Sequence, residues 1–272
     1  MSLRDLAVNL RAMLLHRALR LETGDVVAFV GGGGKTTAMF RLADEIVAAG
    51  GRVVTTTTTR IFVAQTRLAP AHVQSLADLR AALESSPHVL LTGDIDPAEG
   101  KALGISLPLI PNLQSLFTDH QLPITNLLIE ADGSRQLPFK APAEHEPAIP
   151  NCATLVVPVV GIDAIGKPLS PQFVHRPDMI ARIHAGETVT PEMVAAVLAH
   201  PLGGRKNVPI EARVIVLINK VESDEQRAVA KEIAGRLLRA PGIDGVMLGA
   251  VARGDTPIMD CFYRGESRAD NE

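Results

Sequence analysis

The chain has 272 residues, 46% hydrophobic and 21% charged, with a formal net charge of −3 at pH 7. That balance suits one large globular domain or two small ones, and it excludes a low-complexity or collagen-like chain. With no basic excess, no Trp and only 3% aromatic residues, nucleic acid is not an expected partner.

The first expected element is an amphipathic helix over residues 1–21. Leu3, Leu6, Leu10, Met13, Leu14 and Leu21 are interrupted by Arg4, Asp5, Arg11, Arg17 and Arg20. The segment is too charged for a signal peptide and is expected to pack on the core, with membrane-surface binding as the alternative. No apolar run elsewhere has the length to cross a membrane.

Residues 26–30 form a continuous apolar run, followed by Gly31-Gly32-Gly33-Gly34-Lys35-Thr36-Thr37 and then by a helical pattern over 37–49 that Gly50 stops. A strand, a glycine turn, a Lys-Thr pair and a helix make a phosphate-binding loop. In the usual pattern G-x-x-x-x-G-K-[ST] the first glycine falls on Phe29 here. Gly31 to Gly34 and Thr37 are expected to cradle phosphates, Lys35 to reach the terminal phosphates, and Thr36 to hold Mg²⁺.

A second strand opens over residues 52–55 and runs into Thr55-Thr56-Thr57-Thr58-Thr59-Arg60. Threonines suit strands, but this run passes the expected strand end. Thr58 and Thr59 are therefore candidates for contact with a phosphate, Mg²⁺ or an attacking group, and Arg60 for neutralising developing charge. A helix is expected over 73–83, a strand over 88–91, and a helical stretch near 109–117. Residues 94–111 and 161–177 read as long functional loops.

The strand over 126–129 ends in Glu130-Ala131-Asp132-Gly133. Apolar residues followed by an acid resemble a Walker B strand, so Glu130 and Asp132 are candidate Mg²⁺ ligands. The following segment is dense in ionisable groups and prolines. Arg135 and Lys140 are candidates for an anionic substrate, and Glu144, His145 and Glu146 for acid/base or ligand roles. A strand over 154–160 leads to the loop that carries His175-Arg176-Pro177.

Thr190-Pro191 is expected to open a helix reaching about His200. Residues 213–218 form a strand that ends in Asn219-Lys220-Val221-Glu222, similar to the N-K-x-D guanine motif with Glu222 in the carboxylate position. Ser223 to Gln226 form a capping box opening a helix to about Arg239. A strand over 245–251 closes the set, and a polar tail is expected to fray. Cys152 and Cys261 lack metal-ligand spacing and read as reduced thiols of a cytoplasmic protein.

Buried strands alternating with amphipathic helices predict an α/β fold, a mostly parallel sheet flanked by helices, P-loop NTPase-like. The expected division is the helix over 1–21, one nucleotide-binding domain over 22–264, and a flexible tail over 265–272.

Together these segments resemble the YqeC family of accessory proteins for selenium-dependent molybdenum hydroxylases. The resemblance rests on residues 30–37, 56–60, 130–135, 140–147 and 175–177, with Glu-Ala-Asp-Gly-Ser-Arg and Lys-Ala-Pro-Ala-Glu-His-Glu-Pro the most specific. It implies a P-loop protein that helps mature a molybdenum-containing hydroxylase, with that enzyme or a molybdopterin-type cofactor as partner.

From the residues, two functions compete. One is an Mg²⁺-dependent NTP hydrolase or phosphotransferase, in which Lys35, Arg60, Asp132 and Arg135 act on ATP or GTP. The other is a nucleotide-gated chaperone or scaffold with little turnover.

Overall fold

The structure is a computed structural model and describes residues 13–118 and 124–265. In chain order the elements are α1 (Leu15–Ala18), β1 (Val26–Gly31), α2 (Lys35–Ala48), β2 (Val53–Thr57), β3 (Ile61–Phe62), β4 (Ala71–Val73), α3 (Leu76–Ser85), β5 (His88–Leu91), β6 (Ile95–Asp96) and β7 (Lys101–Ala102). They continue with α4 (Ile110–Gln114), β8 (Asn126–Glu130), β9 (Leu155–Gly161), α5 (Pro177–Ile183), α6 (Pro191–Ala199), β10 (Arg213–Asn219), α7 (Asp224–Leu237), β11 (Gly245–Gly249) and β12 (Ile258–Tyr263).

Nine strands form one sheet in the order β12-β11-β10-β9-β1-β8-β2-β5-β4. The pairings are parallel from β11 through to β4, and β12 runs antiparallel to β11. β1 holds the centre because its apolar residues bury on both faces. Val27 and Phe29 pack with α1 and α2, whereas Val26, Ala28 and Val30 pack with residues of α3 and α4. Each buried valine or phenylalanine is worth roughly 1.5–3 kcal/mol relative to exposure. Towards β10 and β11 the second face is covered by α6 and α7. A separate antiparallel sheet, β3-β7-β6, comes from the segments after β2 and β5.

Several helix limits follow local chemistry. Ser223 accepts from the Gln226 amide while the Gln226 side chain accepts from the Ser223 amide, so the capping box opens α7 as expected. Thr190 caps α6 with Pro191 in its first turn. The helix expected over 73–83 starts later: residues 71–73 pair with β5, and Ser75 caps α3 by accepting from the Asp78 amide.

Other expectations need correction. The set does not close at residue 251, because β12 adds an edge strand. The threonine run is largely strand: Thr55, Thr56 and Thr57 lie in β2 and are buried. The stretch over 94–111 is not structureless, since it carries β6 and β7. Of the amphipathic segment, residues 1–12 lie outside the described residues, as do residues 266–272 of the expected tail. The described part contains α1, where Glu45 accepts from the Leu15 and His16 amides.

No helix among the described residues is long and apolar enough to cross a membrane. A glycine loop between the central strand and α2, beside a strand that ends in an acid, makes this a P-loop NTPase-like α/β fold.

Candidate functional site

The glycine loop sits at the carboxyl end of the central strand. Gly31, Gly33 and Gly34 have φ of +95°, +79° and +119°, conformations that L side chains resist. Space is equally restrictive: a Cβ on Gly33 would lie 2.1 Å from the Gly161 nitrogen, and one on Gly32 would lie 2.6 Å from the Leu137 oxygen.

The loop amides are not all directed at a ligand. Gly31 donates to Asp132, Gly32 to the Val159 carbonyl and Gly33 to the Leu137 carbonyl. Of the glycine amides expected to converge on an anion, those of Gly31, Gly32 and Gly33 are thus engaged by protein groups. The amides of Gly34, Lys35, Thr36 and Thr37 donate to no protein group among the described residues. Gly34 caps α2 without a side chain, and no acid lies in the first turn. An uncapped helix N-terminus carries unsatisfied donors and the positive end of the helix dipole.

Below these amides is a buried ionic cluster. Lys35 Nζ donates to the Gly31 carbonyl at 2.7 Å and lies 3.2 Å from Asp132 Oδ1 and 3.7 Å from Glu130 Oε1. Burial alone would lower the Lys35 pKa, but the carboxylates of Asp132 and Glu130 outweigh it and hold the pKa above the ordinary lysine value. The Thr36 hydroxyl donates to Glu130 Oε2 at 2.6 Å.

Asp132 also meets Lys140 Nζ at 3.0 Å, and Lys140 continues to Glu146 at 2.6 Å and to the Gly133 carbonyl. Glu146 in turn takes both guanidinium nitrogens of Arg176. Burial opposes ionisation of Glu146, but Arg176 and Lys140 overcome it and depress its pKa to about 2. His175, tied through its amide to Phe139, has its pKa pushed down to about 4 by burial and by neighbouring Arg176 and Lys140.

A cleft of about 500 Å³ opens above this cluster. Its floor is Gly33 to Thr37 with Glu130, and its rim includes Arg60, Arg135, His175, Arg176 and Lys220. Asp132 and Lys140 lie beneath the loop rather than on the cleft surface.

Asn219 is buried and bridges the Gly33 carbonyl and the Val251 amide. Lys220, in the left-handed region at φ 63°, pairs with Asp163. Glu222 pairs with Arg253 and is not part of the cleft lining. Thr58 and Thr59 also turn away: the Thr58 hydroxyl donates to the Ala148 carbonyl, and Thr59 bonds Thr57. Glu144 and His145 are exposed and outside the lining, and the neighbouring Glu146 turns inward instead.

Four cleft residues had no place in the sequence reading: Ile61, Phe62, Gln65 and Lys101. They come from the small sheet and the turn after it, whose two-residue strands carry no periodic signal. Among the described residues no three His, Cys, Asp or Glu side chains gather as a metal cage.

Residues 27–178 match the family described as YqeC protein. A protein of Escherichia coli (strain K12) described as "Uncharacterized protein YqeC" is 34% identical over 233 residues, covering 83% of this chain and 87% of that one. Among solved structures, chloroplast FtsY from Physcomitrella patens is similar with a TM-score of 0.43 and 13% identity, covering 93% of this chain and 66% of that one. FtsY from Mycoplasma mycoides gives a TM-score of 0.33 and 10% identity, covering 88% of this chain and 63% of that one. The chain thus spans just under two thirds of the length of either FtsY chain.

Proposed function

This chain belongs to the YqeC family, and from that premise we propose that it binds a nucleoside triphosphate with Mg²⁺ and hydrolyses or transfers its terminal phosphoryl group. The single observation that carries this reading is the uncapped start of α2. Four amides without protein partners among the described residues lie at the floor of one cleft, with the Lys35 ammonium buried beneath them, an arrangement suited to a polyphosphate.

Thr36, in the first turn of α2, and Glu130, at the end of β8, are suited to Mg²⁺: both offer hard oxygens, already 2.6 Å apart. A sparse protein ligand set fits an ion that keeps waters and takes phosphate oxygens. When bound, the ion supplies neutralisation of charge on the phosphate oxygens. Lys35 holds the terminal phosphate and Asp132 fixes Lys35 and the Gly31 amide. Arg135 or Arg176 offsets developing charge from the rim. ATP and GTP are both candidates for the bound nucleotide. Asn219 supports the loop, and Lys220 is positioned to flank a base.

A second reading is favoured by the ionic chain from Lys35 through Asp132, Lys140 and Glu146 to Arg176. It connects the loop to the start of α5, as a nucleotide-gated scaffold would need. The family resemblance supports a molybdenum-containing hydroxylase, or its cofactor, as the partner in either case.

The test is thermal shift with Mg-ATP, Mg-GTP and Mg-CTP. A nucleotide at roughly 100 times its dissociation constant should stabilise the protein by about 2.7 kcal/mol. Lys35→Ala should abolish that shift while the protein still unfolds cooperatively. An unchanged shift in folded Lys35→Ala rejects the site. Phosphate release without partner favours the enzyme; release that starts only when an apo-hydroxylase is added favours the scaffold.

A further inference from the structure

The cleft has a wall that the nucleotide reading leaves unused. In the small sheet, Phe62 of β3 stands directly opposite Lys101 of β7. Cross-strand partners share a face with their Cβ atoms about 5 Å apart. The other face of this pair carries Ile61 and Ala102, both buried, so Phe62 and Lys101 turn outward together; Phe62 and Lys101 line the cleft, with Ile61 at its edge.

Phe62 is 45% exposed, in a chain whose aromatic content is only 3%. An exposed phenyl face inside a polar cleft is a platform for a planar ring. Beside it, Arg60 and Lys101 share one carboxylate, Glu99, at 2.6 and 3.3 Å. Two cations on one carboxylate leave this wall positive.

Sheet order separates this wall from the base side of the nucleotide. β10 and β2 are each two strands from β1, on opposite sides. With neighbouring strands about 4.8 Å apart, the ends of β10 and β2 are roughly 20 Å from each other. A triphosphate on α2 with its base beside Lys220 therefore leaves the β2 flank open.

Strain points to the same cleft. Among the described residues, six non-glycine residues have positive φ, and four of them, Arg135, Gln136, Arg176 and Lys220, line it. Such conformations persist where the surroundings impose them and tend to gather at ligand sites. Arg135 is exposed and forms no ion pair among the described residues.

We infer that the β2 flank is a second ligand subsite for a planar aromatic ring carrying a phosphate or comparable anion, with Phe62 under the ring and Lys101 and Arg60 on the anion. The inference rests on the nucleotide reading only for what fills the other flank.

The probe is 1-naphthyl phosphate, followed by fluorescence anisotropy with and without a saturating non-hydrolysable Mg-nucleotide analogue. Wild-type protein is expected to bind it in both conditions. Phe62→Ala and Lys101→Ala should each weaken it roughly tenfold or more and change the affinity for the analogue by less than about twofold. Three results overturn the inference: no binding to wild-type protein, displacement of the probe by the analogue, or loss of analogue affinity in Phe62→Ala. The last would mean that Phe62 stacks the base of the nucleotide itself. If the probe binds and no nucleotide does, the nucleotide reading fails and the subsite stands.

Discussion

At the scale of single residues, the site is governed by buried charge. Lys35 and Lys140 are only 3% and 4% exposed, and Asp132 is 1% exposed. An unpaired buried charge is strongly destabilising, whereas a fully partnered one is tolerated. The cluster achieves this by alternating signs from Glu130 to Arg176. Glu146 is the member whose titration can be followed, because its carboxyl is held near a pKa of about 2 against the ordinary 4.5. A depressed carboxylate stabilises the fold above pH 4.5, and that contribution is lost as pH falls from 4.5 towards 2. The difference corresponds to about 3 kcal/mol. Glu146→Gln should therefore lower stability at pH 7 and remove that part of the acid slope. His175 and His88, both near 4 from an ordinary 6.5, titrate mainly above this window. Urea unfolding of both proteins between pH 5 and 3 checks the point; parallel slopes would refute it.

At the scale of elements, the glycine loop is shaped by packing as much as by any ligand. Gly33 and Gly50 both have positive φ, but only Gly33 is enclosed, with the Gly161 backbone where a Cβ would go, while nothing lies within 4 Å at Gly50. Gly50→Ala should cost about 1–2 kcal/mol for the left-handed backbone alone. Gly33→Ala should cost clearly more, because β9 must move; equal losses in chemical denaturation would contradict this packing.

The same elements explain what could be read in advance. β1, β5 and β8 are apolar runs bounded by clear breaks, so their positions follow from the residues alone. The same holds for the α7 capping box, where local chemistry decides. β12 was hidden because a single edge strand in antiparallel pairing has no helix after it to continue the alternation. The wall made by Phe62 and Lys101 was hidden because register between distant two-residue strands is a tertiary fact. Glu146 was singled out only as one of three neighbouring ionisable residues; which of Glu144, His145 and Glu146 turns inward depends on Lys140 and Arg176, which lie 6 and 30 residues away from it.

At the scale of the whole molecule, the cleft joins parts of the sheet that otherwise touch only through their neighbours. Its walls come from the end of β10, from the loop after β1, from the segment after β8 and from the small sheet beyond β2. A nucleotide on α2 would contact several of these at once and stabilise the native state as a unit. At about 100 times the dissociation constant the linkage is about 2.7 kcal/mol, which for a chain of this size corresponds to a rise of roughly 5–10 °C in melting temperature. Hydrogen exchange can separate local from global effects. Amides of residues 34–37, which have no protein acceptor among the described residues, and of 133–136 along the rim should slow most when Mg-nucleotide is added. No residue of β11 or β12 lines the cleft, and their amides should slow only by the amount that global stability allows. Uniform slowing throughout the sheet, with no excess at 34–37, would place the ligand somewhere other than the start of α2.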